Sequence, residues 1–145
     1  MFVFAAIVLS GLTAFPLETE LDFVARHSSH LPAAVADWME HVRDGVHNTN
    51  SVYPFIMYGI DWLAFAHIVI ALLFIGPYMD PLRNKWVIDW GITCCVLVFP
   101  LALIAGPVRG IPFFHQLVDC SFGFFGFFPL FIIRRKIRKL EKLMS

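Results

Sequence analysis

Three stretches, residues 54–78, 86–107 and 112–133, each run for about 20 residues with very little charge. A helix of that length crosses the ~30 Å hydrocarbon layer of a bilayer. Inside that layer only helices and closed barrels satisfy their own backbone polar groups. Composition agrees: 59% of the residues are apolar and 16 are Phe, against roughly 45–50% apolar in soluble domains. A fourth apolar run, residues 1–17, is shorter, about 25 Å as a helix. It reads as a retained first span, because no Lys or Arg precedes its apolar stretch and no good A-x-A site follows it. A cleaved signal peptide is the alternative, and it would leave the other spans unchanged.

The expected fold is an all-α integral membrane protein forming one membrane domain. It is a four-transmembrane-helix bundle with spans at 1–17, 54–78, 86–107 and 112–133. An extracytoplasmic amphipathic helical segment covers 18–52, and a basic tail covers 134–145. Basic residues set the orientation. The tail carries Arg134, Arg135, Lys136, Arg138, Lys139 and Lys142, and the second connection carries Arg83 and Lys85. The opposite side has only Arg26, Arg43 and Arg109. Tail and second connection are therefore expected in the cytoplasm, as are both termini. In a bacterium the membrane would be the cytoplasmic (inner) one.

Several residues mark where helices start and stop. Asp80-Pro81 suits an N-cap followed by the first helical position, and Pro112 suits the first turn of the last span. Gly76-Pro77 and Gly106-Pro107 suit helix ends, and Pro100 suits a kink. Gly123 and Gly126 would let another helix approach closely. The tail from Arg134 is expected to be a basic helix lying on anionic headgroups. In the outer segment, Val35, Trp38, Met39, Val42 and Val46 recur at helical spacing from Pro32 onward. Leu17, Leu21 and Val24 suggest a shorter helix before it, and residues 47–51 read as a linker.

Known catalytic and nucleotide-binding signatures are absent: no Walker loop, dinucleotide fingerprint, GxSxG, HExxH or CxxCH occurs. Cys94, Cys95 and Cys120 lie in apolar stretches without a CxxC pair, as buried thiols do. His27 and His30 are three apart, and Asp37 and His41 four apart, so each pair would share a helix face. These three histidines are weak metal candidates. Their spacing is looser than that of zinc sites, and a solvated surface is the preferred reading. No metal, cofactor or nucleic-acid partner is expected.

Ionisable groups at membrane depth are the features that ask for an explanation, since each costs at least ~2.5–3.5 kcal/mol there. Asp61 lies ~9 Å below the start of its span, His115 ~5 Å and Asp119 ~10 Å below the start of theirs. His115 and Asp119 are four apart, so they share a face, expected to be the face of Gly123 and Gly126. Arg109 sits on the short loop above them, and Glu18 and Glu20 leave the first span at the same rim. The expectation is one outward-facing polar cavity with Asp61, His115, Asp119, Arg109, Glu18 and Glu20 as ligand-binding residues. Paired carboxylates beside a histidine could handle protons. A salt-bridged layer fixing helix register is the plainer alternative. His67, near the midplane, suits an interhelical hydrogen bond to Thr93 or Cys94. Haem would need a second histidine at its depth. Asp89 suits an interfacial ion pair with Arg83, Lys85 or the tail.

These features suit a small binding or accessory protein whose ligand is a lipid, a small polar molecule or a proton. Membrane lipids, a second copy or a partner membrane subunit are the expected partners. The first alternative is a membrane-embedded enzyme acting on lipid at the outer leaflet, with Asp61 or Asp119 as base, His115 as acid or metal ligand and Arg109 as anion clamp. The second is a thiol or quinone redox protein.

Overall fold

The computed structural model describes residues 2–27 and 30–144. Among these, every regular element is helical and no strand occurs. The helices are α1 (Phe2–Ala14), α2 (Leu17–Arg26), α3 (Ala33–Val52), α4 (Pro54–Leu73), α5 (Ile75–Met79), α6 (Lys85–Pro100), α7 (Gly106–Val108) and α8 (Phe113–Met144). A π-helical turn, Leu101–Ala105, joins α6 to α7.

Three helical stretches are long and apolar enough to cross a membrane: Pro54–Met79, Lys85–Val108 and Phe113–Leu143. A fourth exists if Val3–Ala14 and Leu17–Arg26 count as one broken span, since they meet at a bend of 87°. Only 17–22% of the apolar windows of the three long stretches is buried within the chain. Trp62, Leu63, Leu97, Ile104, Phe122 and Phe125 all face outward. Water would oppose such exposure by about 25 cal/mol per Å², whereas hydrocarbon accepts it.

Prolines place most of the breaks. Proline lacks the N–H that a helix needs, and it pushes the preceding residue away from helical geometry. Hence α1 stops at Ala14, before Phe15-Pro16, rather than continuing to Leu17. Its thirteen residues give a helix of only ~20 Å. Pro54 separates α3 from α4, and Pro77 accounts for the break after Leu73. Pro100 and Pro107 bracket the π turn.

Three expected boundaries need correction. Residues 47–51 are not a linker: α3 stays helical to Val52, Ser51 Oγ donates to the Asn48 carbonyl, and only Pro54 stops it. Asp80 does not cap the third span. Its Oδ1 accepts from Arg83 N at 3.0 Å in a separate turn, and α6 begins at Lys85. The basic tail is not a separate helix. It continues α8 for a total of 32 residues, about 48 Å.

The described chain forms two compact units. In the unit Ala5–Ala71, α2 packs on α3 and α1 packs on α4. The α3 stripe Val35, Trp38, Met39, Val42 and Val46 is half-buried throughout, while Asp37, Glu40, His41 and Asp44 are exposed. Gly11 lies against α4: a Cβ there would stand 2.8 Å from the Ala64 carbonyl oxygen. Two small residues therefore let these backbones meet.

The other unit contains Leu72 onward, together with the first residues of α1. Its core is the seam between α6 and α8. Val87, Ile88, Leu130 and Ile137 are almost fully buried. A Cβ at Gly123 would meet the Cys95 carbonyl oxygen at 2.6 Å, and one at Gly126 would meet Cys95 Sγ at 2.9 Å. The two glycines face α6, as their spacing suggested. At the far end of the seam Arg134 bonds Asp89, and Lys85 Nζ bonds Glu141 Oε1 at 2.6 Å. Ile137 is buried between these ion pairs in sequence, which keeps the tail packed on the unit rather than peeled away from it.

Candidate functional site

The 87° corner after α1 makes room for a cavity in the unit Ala5–Ala71. Gly11 holds α1 tightly on Ala64, but beyond Ala14 the chain turns away at Phe15-Pro16. Asp61 lies one helical turn before Ala64 on α4, so it faces the space the corner leaves open. The cavity holds about 310 Å³. Its polar lining is Glu18, Thr19, Asn50 and Asp61, and Met57, Ile60 and the corner residues supply the rest.

The two carboxylates are held differently. Asn50 Nδ2 donates to Glu18 Oε2 at 3.0 Å, and His47 Nδ1 lies 3.6 Å from Glu18 Oε1. Glu18 also stands in the first turn of α2, where the helix dipole favours negative charge. Asp61 is half-buried, and no side chain among the described residues donates to it. Such a carboxylate is an acceptor with its capacity unused. Glu20, two residues beyond Glu18, is exposed and does not line the cavity.

His115, Asp119 and Arg109 belong to the other unit. His115 Nε2 lies 3.9 Å from Asp119 Oδ1 on one face of α8, and both are half-buried. Arg109 is exposed at the turn after α7. Gly110 follows with φ 69°, a left-handed conformation that favours glycine. Asp119 stands four residues before Gly123 and seven before Gly126, on the same side of α8 as the two glycines. The buried positions at this level are the adjacent Gln116 and Cys120. Gln116 Nε2 donates to the Ile111 carbonyl at 2.8 Å and lies against Gly106, which ties down the α7–α8 turn.

Several other polar residues are satisfied locally. A carbonyl can only accept, so His67 Nδ1 donates to the Leu63 carbonyl at 2.8 Å in its own helix. Thr93 likewise donates to the Asp89 carbonyl. Each of these bonds stays within a single helix. His27 Nδ1 bonds the Phe23 carbonyl, with its ring 4.5 Å from that of Phe23. The His41 ring lies 5.7 Å from Trp38. Because α2 ends at Arg26, His27 lies in the turn that follows it. Among the described residues no three His, Cys, Asp or Glu side chains converge as metal ligands would. On the outer face of α3, Asp44 bonds Arg43 and holds its guanidinium above its ordinary pKa. Cys94, Cys95 and Cys120 are free thiols.

Sequence alone places His47 and Asn50 in a linker, whereas their contact with Glu18 depends on α3 remaining helical. The signal available was the run Asn48-Thr49-Asn50-Ser51 before a proline, which suits either a loop or a helix end. Comparison with known proteins finds no matching family model, no matching curated protein and no matching solved structure.

Proposed function

We propose that this chain is a multi-pass membrane protein that binds a small cationic or hydrogen-bond-donating ligand in the cavity of Glu18, Asn50 and Asp61. The observation that carries the reading is Asp61, a half-buried acceptor to which no side chain among the described residues donates, beside a second carboxylate. Two negative charges lining a space of about 310 Å³ favour an ammonium or guanidinium group. Thr19 and Asn50 add neutral hydrogen-bonding groups, and Met57 and Ile60 add apolar contact. Nothing in this lining pairs a nucleophile with a base, so the chemistry favours binding over covalent catalysis. The chain then serves as a binding or accessory component of its membrane.

In this reading α1 with its corner, Pro54–Met79, Lys85–Val108 and α8 cross the bilayer. The basic residues near 83–85 and 134–142 place those ends in the cytoplasm. Helices α2 and α3, and the mouth of the cavity, then face outside. Cysteine labelling checks this orientation in a background lacking Cys94, Cys95 and Cys120. A cysteine replacing Asp44 should react with an impermeant maleimide in intact cells, and one replacing Lys139 should react only after lysis. The opposite pattern would invert the topology.

Ligand binding is tested by thermal shift of the detergent-purified chain with ethylammonium, ethanolammonium and guanidinium salts. A ligand that binds only the folded state raises stability by about 2.7 kcal/mol at a hundred times its Kd. At least one of these cations should raise the melting temperature of the wild type more than sodium does. Asp61→Asn should keep the unliganded melting temperature and lose that shift. Equal shifts in both proteins would remove Asp61 from the site.

A further inference from the structure

We infer that the end of α8 is a docking collar for the phosphate groups of anionic lipids. This goes beyond the cavity and rests only on the reading of α8 as a membrane span. The apolar part of α8 reaches Ile133, after which Arg135, Lys136, Arg138 and Lys139 are all exposed. Because α8 runs unbroken from the apolar part into the tail, these cations are spread around a rod rather than along a separate helix lying flat. Phosphates approaching from several directions can therefore be engaged at once.

The charges at this end are not balanced internally. Residues 80–89 and 134–144 contain eight basic and three acidic side chains. All three acids are engaged: Asp80 caps its own turn at Arg83 N, Asp89 pairs with Arg134, and Glu141 pairs with Lys85. The four collar cations are all exposed, and the acid nearest them, Glu141 beside Arg138, is already bonded to Lys85. Their height is fixed as well. The Arg135 guanidinium lies 4.6 Å from the centroid of the Phe131 ring, one turn back toward the apolar part. That contact holds a cation at the boundary between apolar and polar surface, the level of lipid phosphates. Arginine gives phosphate two parallel donors, and lysine adds point charge. A juxtamembrane cation near an anionic surface strengthens attachment by about fivefold.

Native mass spectrometry of the full chain tests the collar. The protein is released from mixed micelles holding equal amounts of phosphatidylglycerol and phosphatidylcholine with matched acyl chains. The wild type should retain phosphatidylglycerol at least about fivefold over phosphatidylcholine. The preference should shrink at 0.5 M salt, where the screening length falls to roughly 4 Å. A variant with Arg135→Gln, Lys136→Gln, Arg138→Gln and Lys139→Gln should retain both lipids equally. A charge-keeping variant, Arg135→Lys with Arg138→Lys, should keep the preference, and its loss there would overturn a charge-based collar. Equal retention by the wild type, or undiminished preference in the glutamine variant, would overturn it too. A wild type that retained no lipid at all would instead overturn the membrane reading.

Discussion

Replacing Gly123 and Gly126 together by leucine should lower the melting temperature of the detergent-purified chain by roughly 10 °C. Overpacking a seam typically costs about 1–3 kcal/mol per site. Here the upper end applies, because the first atom met at position 123 is a backbone carbonyl, which cannot rotate away. Cys95 would be struck from both positions, so α6 and α8 must separate locally. Gly59→Leu is the matching control, since nothing lies within 4 Å of a Cβ at that position. Equal melting temperatures for the glycine pair and the control would mean that the seam is not held this way.

The second large effect is an asymmetry at the ion pair closing the same seam. The Arg134 side chain is 15% exposed and that of Asp89 is 47% exposed. Removing the acid leaves the more buried charge alone, with Arg134 Nη1 already enclosed and unbonded. Removing the base leaves a carboxylate that solvent can reach. Asp89→Asn should therefore destabilise by about 3 kcal/mol, the lower end for a broken buried pair. Arg134→Met should cost less than half as much. The double variant should recover part of the loss, because a coupled pair is not additive. Melting curves of all four proteins at one pH decide it, and equal costs for the two single variants would contradict the burial difference.

Much of the helical layout was legible in the sequence because local patterns determine it. The apolar lengths marked the long helices, and the spacing of Val35, Trp38, Met39, Val42 and Val46 marked the half-buried face of α3. Gly123 and Gly126 marked a close approach, and Asp89 an ion pair. The rest depends on angles and on single-residue offsets. Glu18 and Asn50 are 32 positions apart, and they meet because of the direction taken after Pro16. No periodicity carries that direction. Gln116 was hidden by one step of helix rotation, since its neighbour His115 has the more arresting chemistry but points elsewhere. The tail reads as separate because its composition changes at Arg134, yet α8 continues unbroken through both Pro129 and that change.

The wide turn at Leu101–Ala105 gives its helix two azimuths. A π turn takes in one residue more than an α turn, and one residue is about 100° of rotation. Everything after Ala105 is therefore aimed about 100° away from where an uninterrupted helix would point it. Gly106 lies beneath Gln116 by virtue of that offset. Deleting any one residue from Leu101–Ala105 would close the turn to ordinary α geometry and swing Gly106 aside, while Val87, Ile88 and Gly91 kept their alignment. The surplus residue is thus a vernier, setting the second half of one rod independently of the first.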